Sequence, residues 1–332
     1  MRQHFFTLVM LIILILVFYF FILPMLDIIQ FLESLKSTDI SFFILAVIVI
    51  VIANASAALR WAVLMKQANA KKSQLFMNAF GIFSLGQVTG FIVPTRIGSY
   101  AKTPLVMKLD NLTYKTALSA VNAETILDLA YISCAGIVSI FILSVFFSTQ
   151  SFLSTVLICF IGIILIVVLI VLYKIHYFEQ TYEKLVATST KADRHILVKI
   201  PSVLLGKLYE LITSTRKIFT QKGIVVKLSF FTLVAQFLGV IGFLLVIKSA
   251  HETLPLIVVF AILMISYLIG IISLIPGGLG ASDLSMIVLL ESTGITLPVA
   301  TNIAVLWRFA TFLPILAISG LYSVKIQVSH EN

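Results

Sequence analysis

The sequence predicts an all-α, polytopic membrane protein with about seven or eight transmembrane helices, re-entrant half-helices and two pseudo-repeated halves. Three observations carry that prediction. Of 332 residues, 60% are hydrophobic and only 11% charged, whereas a soluble globular chain carries about 25% charged residues. The mean hydropathy is +1.13, so no water-facing surface of ordinary charge density can be built, and a soluble enzyme is excluded. Finally, the apolar residues fall in long runs, at 5–26, 41–59, 75–93, 117–147, 151–173, 224–247, 254–275, 281–290 and 298–323. A crossing helix needs about 20 such residues, and a run of about 10–14 suits a re-entrant or interfacial segment.

The first run is too long for a signal peptide and lacks a small-residue cleavage site, so it is expected to remain as a span. Loop 27–40 holds Asp27, Glu33 and Asp39 against Lys36 and reads as outside. Segment 60–73 holds Arg60, Lys66, Lys71 and Lys72 with no acid; segment 94–116 holds Arg96, Lys102, Lys108 and Lys115 against Asp110. Both read as inside, together with the N-terminus. Two successive inside loops cannot flank one crossing helix. Run 75–93 is therefore predicted to be a re-entrant hairpin bent at Gly86, Gln87, Thr89 and Gly90, next to a protein-lined cavity. Run 281–290 is too short to cross alone.

Between the halves, segment 174–223 carries nine bases and four acids and is also inside. From Pro201 onward, Leu204, Leu208, Leu211, Ile212, Ile218 and Phe219 keep helical spacing, with Lys207, Glu210, Ser214 and Lys217 opposite. That pattern predicts an interfacial helix. The chain thus divides into a first half over about 1–173, a basic elbow over 174–223 and a second half over about 224–325, all in one membrane domain. The net charge of +9 reads as positive-inside anchoring on anionic lipid and not as nucleic-acid binding. Cys134 and Cys159 lie inside apolar runs and the five histidines are scattered. No disulfide framework, metal site or cofactor is expected.

One pattern occurs twice. Pro94-Thr95-Arg96-Ile97-Gly98 and Pro276-Gly277-Gly278-Leu279-Gly280 both read Pro-x-x-x-Gly, one copy on either side of the basic elbow. Each precedes an apolar run holding charge: Glu124 and Asp128 after the first copy, Arg308 after the second. Gly/Pro-interrupted segments at matching places in two halves point to the central site of a transporter. Glu124 and Asp128, four apart, share a helix face and need a cation close by. Arg308 costs about 2.5–3.5 kcal/mol at a helix centre, so it needs a partner: Asp128, Glu124 or Asp283 in the absence of lipid. Gly277, Gly278 and Gly280 permit a tight turn, and Ser282 or Asp283 suits the cap of a following half-helix, whose N-terminus favours an anion. Arg96 and Lys102 add a basic rim at the cytoplasmic face, and Arg60-Trp61 reads as an anchor there.

Taken in order, Arg60-Trp61, the two Pro-x-x-x-Gly motifs, Glu124 to Asp128, and Arg308 make the chain resemble the lysylphosphatidylglycerol synthase transmembrane family, over about residues 10–325. The resemblance implies a flippase-like domain that handles an anionic phospholipid or a lipid-linked sugar. Family members often carry an aminoacyl- or glycosyltransferase in the same chain. Without room for one, this chain resembles the stand-alone prokaryotic members: multi-pass, in the cell membrane, with a separate synthase or glycosyltransferase as partner. The family's Pro-rich motif continues with an acid and then an arginine, where this chain has Ser99 and Lys102; lysine lacks the bidentate fork.

The expected function is a lipid flippase or transporter, not an enzyme. Arg96, Lys102, Arg308 and the Gly277, Gly278 and Gly280 turn would hold the headgroup, and Glu124, Asp128 and Asp283 would balance the charge. The alternatives are an intramembrane transferase using Glu124 or Asp128 as base, or a non-catalytic membrane partner of a separate synthase.

Overall fold

The computed structural model describes residues 33–92, 95–147, 214–273, 275 and 277–331. Helix α1 spans Ile40–Gln67, opened by Asp39, whose carboxylate accepts from the N–H groups of Ser41 and Phe42. Then come α2 (Phe76–Ile92), a 3-10 turn (Thr95–Ala101), α3 (Lys102–Asp110) and α4 (Tyr114–Phe147). The later part repeats the order with α5 (Lys222–Ser249), α6 (Leu256–Ile272), α7 (Ala281–Ser292) and α8 (Leu297–Glu331). Among the described residues, four helices are long and apolar enough to cross a membrane: α1, α4, α5 and α8. Phe141, Phe230 and Leu321 on three of them are 71%, 59% and 76% exposed, which suits hydrocarbon and not water. Runs 5–26 and 151–173, and the elbow before residue 214, lie outside the described residues. Where the elbow enters them, Ile218 and Phe219 pack against the protein core.

The two parts match in length as well as order. Helices α1 and α5 each have 28 residues, and α2 and α6 each have 17. The offset between the starts of α1 and α5 (222 minus 40) equals that between the two Pro-x-x-x-Gly motifs (276 minus 94). Helices α4 and α8 have 34 and 35 residues. Contacts between α1 and α5 show that the repeat is inverted. The Asp39 N–H at the start of α1 donates to the Ser249 carbonyl at the end of α5, at 2.7 Å. Further along, the Ser56 hydroxyl meets the Phe231 carbonyl at 3.2 Å, and Arg60 meets the Thr232 hydroxyl at 2.9 Å. The helices run antiparallel along their whole length, as related halves of a transporter do.

Residues 72–110 form a closed hairpin. The Asp110 carboxylate, ending α3, accepts from the N–H groups of Lys72 and Ser73 at 2.6 and 2.8 Å and from the Ser73 hydroxyl. The chain therefore leaves where it entered. The bend does not fall where the glycines of run 75–93 predict it. Helix α2 is unbroken through Gly86, Gln87, Thr89 and Gly90, and turns only after Ile92. Pro94 accounts for the site, because it disfavours helix at the residue before it and donates no hydrogen bond. Gly86 and Gly98 serve close approach of the two arms instead: a Cβ on Gly86 would sit 2.3 Å from Lys102 Cε, and one on Gly98 2.3 Å from Gly90 N. Thr89 stays satisfied, donating within bonding reach of the Leu85 and Gly98 carbonyls at 2.9 and 2.7 Å.

Helices α6 and α7 make the second hairpin, entering from the opposite end because α5 opposes α1. Its turn places Gly277, Gly278 and Gly280 at φ of +60°, +64° and +83°, a region that side-chain-bearing residues enter only at a cost. The tips of the hairpins touch: the Gly277 N–H donates to the Gly90 carbonyl at 3.1 Å. Phe91 packs onto Gly277 and stands edge-on to Phe312 of α8, with centroids 4.8 Å apart.

Candidate functional site

Where the two tips meet, a cavity of about 330 Å³ lies among α1, α4, α5, α6 and α8. Gly90 and Ser99 reach it from the first hairpin, and Gly277, Gly278 and Asp283 from the second. Two ionic clusters border it.

Arg60 centres the first. Its Nη2 donates to Glu124 at 3.0 Å, its Nη1 to Asp128, and Nη1 also to the Thr232 hydroxyl at 2.9 Å. Lys102 donates to the other Glu124 oxygen, with its ammonium 4.7 Å from the Trp61 ring centroid and 5.1 Å from that of Phe83. The shared face of Glu124 and Asp128 thus turns both carboxylates onto one guanidinium, which supplies the cation they require. Arg60, Lys102, Glu124 and Asp128 are all buried. Two positions differ from expectation. Lys102 is no rim residue, since Gly86 leaves room for its stem to pass inward. Arg60 is no surface anchor, since α5 covers the face that would otherwise snorkel.

The second cluster belongs to Arg308. Of the three acids that could meet it, Asp283 does, accepting from Nε at 2.6 Å and from Nη2 at 3.0 Å. The remaining donors reach the Ser282 hydroxyl and the Gly277 carbonyl, the latter at 3.2 Å. Asp283 also accepts from the Gly280 N–H at 2.9 Å, closing the first turn of α7. The positive end of that half-helix therefore already holds an anion, the protein's own. This cluster is the more open: the side chains of Arg308 and Asp283 are 23% and 18% exposed.

Of the residues singled out from sequence, Asp128, Gly277, Gly278, Asp283 and Arg308 line the cavity. Lys102 and Glu124 stand behind Arg60. Gly280 is the N-cap of α7, and Arg96 belongs to the 3-10 turn. Arg60 lines the cavity and escaped the sequence reading as a site residue. Its signal was indirect: two acids on one helix face demand a cation, and Arg60 lies two turns inside the end of α1.

A family model described as the lysylphosphatidylglycerol synthase TM region matches residues 7–319. No curated protein and no solved structure matches the chain.

Proposed function

Since the chain belongs to the lysylphosphatidylglycerol synthase transmembrane family, membrane proteins tied to lipid modification or transport, we propose that its cavity carries the headgroup of an anionic phospholipid or lipid-linked sugar across the bilayer. One observation carries the reading: hairpins from opposite ends meet at a charged cavity within an inverted repeat. Such a repeat gives a central site two related routes out, one per face. The acyl or polyprenyl chain stays in hydrocarbon while the headgroup passes the tips. Arg308 is the gripping residue, because its planar fork matches a phosphate as it matches Asp283. The open ends of the first hairpin, residues 66–73 and 108–116, face the cytoplasm of a prokaryotic cell, and a separate synthase or transferase supplies the lipid. On this reading the protein is a carrier and not an enzyme.

The test is translocation of fluorescent phosphatidylglycerol in reconstituted vesicles, read by dithionite quenching. Arg308→Lys should slow it at least tenfold. Arg308→Leu with Asp283→Asn should insert and unfold much like the parent, because no charge is left unpaired and asparagine keeps an acceptor for the Gly280 N–H, yet move no lipid. Wild-type translocation by that stable double variant would reduce the cluster to scaffolding.

A further inference from the structure

The charges around the cavity balance. Among the described residues, Arg60, Lys102 and Arg308 face Glu124, Asp128 and Asp283, and each is already in an ion pair. A phosphate entering this cavity adds one negative charge, and each of these three cations is already paired. Leaving that charge uncompensated among apolar walls is costly, and low-dielectric sites avoid the cost by taking up a proton or a counter-ion.

The geometry says where a proton would go. The Nη1/Nη2 edge of Arg308 is turned to the Gly277 and Gly278 carbonyls, so a phosphate that takes two parallel N–H bonds competes for the Nε/Nη2 edge, which Asp283 occupies. The two anions cannot share it while both are charged. Once displaced, Asp283 keeps the Gly280 N–H but is left without the guanidinium that balanced its charge. The other charged or titratable groups facing it are Tyr267 of α6, Arg308 of α8 and, across the cavity, Arg60 and Asp128. Arg60 is already committed to Asp128 and Glu124, so among the described side chains no second cation takes over. Asp128, by contrast, keeps its own arginine throughout.

Resting on the carrier reading above, we propose that binding of an anionic headgroup is coupled to uptake of one proton by Asp283, which makes the protein a proton-linked lipid carrier. The balance closes: one phosphate charge and one proton enter, Arg308 exchanges a carboxylate for a phosphate, and the cavity stays neutral. Headgroup affinity then rises with acidity and falls about tenfold per pH unit across the coupled range, because one proton is bound per ligand.

The test is binding, so that it does not depend on transport. The full chain in neutral detergent is titrated with dihexanoyl-phosphatidylglycerol by calorimetry, in paired buffers of different ionisation enthalpy, from pH 4.5 to 8.5. The expected result is saturable binding with about one proton taken up per lipid within that range. Asp283→Asn, which retains an oxygen for the Gly280 cap, should bind with no proton uptake and no pH dependence. Saturable binding by the parent with no protons anywhere in the range, or affinity that follows sodium instead, overturns the coupling and leaves the carrier reading standing. Uptake that survives Asp283→Asn but vanishes in Asp128→Asn overturns the assignment to Asp283. Absence of saturable binding overturns the inference, and the translocation assay then judges the carrier reading independently.

Discussion

Replacing Arg60 by methionine separates a buried charge network from a surface anchor, because the two make different demands on stability. In the native cluster two cations meet two carboxylates, and Arg60, Lys102, Glu124 and Asp128 are only 3%, 1%, 3% and 7% exposed. Arg60→Met removes one cation and leaves Glu124 and Asp128 with Lys102 alone, a buried net charge of −1. Breaking a buried pair in this way costs about 3–5 kcal/mol, whereas losing a solvent-exposed anchor costs about 0–1 kcal/mol. Adding Asp128→Leu restores neutrality, since Lys102 and Glu124 still pair. The double variant should therefore lie within about 1 kcal/mol of the parent, and a large coupling energy should appear in the double-mutant cycle. The assay is unfolding by sodium dodecyl sulfate in dodecylmaltoside micelles, followed by tryptophan fluorescence, with Trp61 beside the network as reporter. A cost below about 1 kcal/mol for Arg60→Met, or strictly additive effects in the double variant, refutes the reasoning.

Three further outcomes follow from the hairpins. Gly98→Ala would place a methyl 2.3 Å from Gly90 N and 2.4 Å from Gly90 Cα; backbone cannot yield as a side chain does, so a loss of about 1–3 kcal/mol is expected in the same unfolding assay. Gly90→Ala meets nothing within 4 Å and should hold or gain about 0.5–1 kcal/mol, as alanine does in a helix interior. In a variant without Cys134 and Cys159, an impermeant maleimide should reach Lys71→Cys and Lys108→Cys from one face and Lys36→Cys from the other. Labelling of Lys71→Cys and Lys108→Cys from opposite faces would turn the closed hairpin into a crossing.

Helix existence was legible because bilayer thickness imposes run lengths that no soluble fold requires; α1, α4, α5 and α8 all lie over runs counted from sequence. That the chain turns back was legible in the charges, but the hairpin extends over 72–110 and not 75–93: residues 95–110 are its returning arm and not a loop at the entry side. Its bend was misplaced because glycine was read as a helix breaker, while Gly86 and Gly90 sit inside α2 as contact surfaces for Lys102 and Gly98. Asp283 as the partner of Arg308 remained one of three acids, since choosing among them needs the rotation of α7 about its axis. Arg60 was misread for a related reason. Proximity to a helix end is visible in sequence, but the covering of that end by Thr232 of α5 is a contact between distant parts of the chain.

The antiparallel pairing of α1 with α5 also constrains how the chain can be made. In a bilayer the same arrangement of helices must be threaded twice, in opposite senses, while positive residues are retained on one side only. Identical copies would both insert the same way up. The loops of the two copies must therefore carry opposite electrical signatures, and here they do. The open end of the first hairpin carries Lys66, Lys71, Lys72, Lys108 and Lys115 against Asp110, whereas the matching end of the second carries Lys248 against Glu252 and Glu291. Insertion thus drives the two halves apart in sequence wherever they meet water. It leaves their kinship to glycines, prolines and helix lengths, which the insertion apparatus does not read.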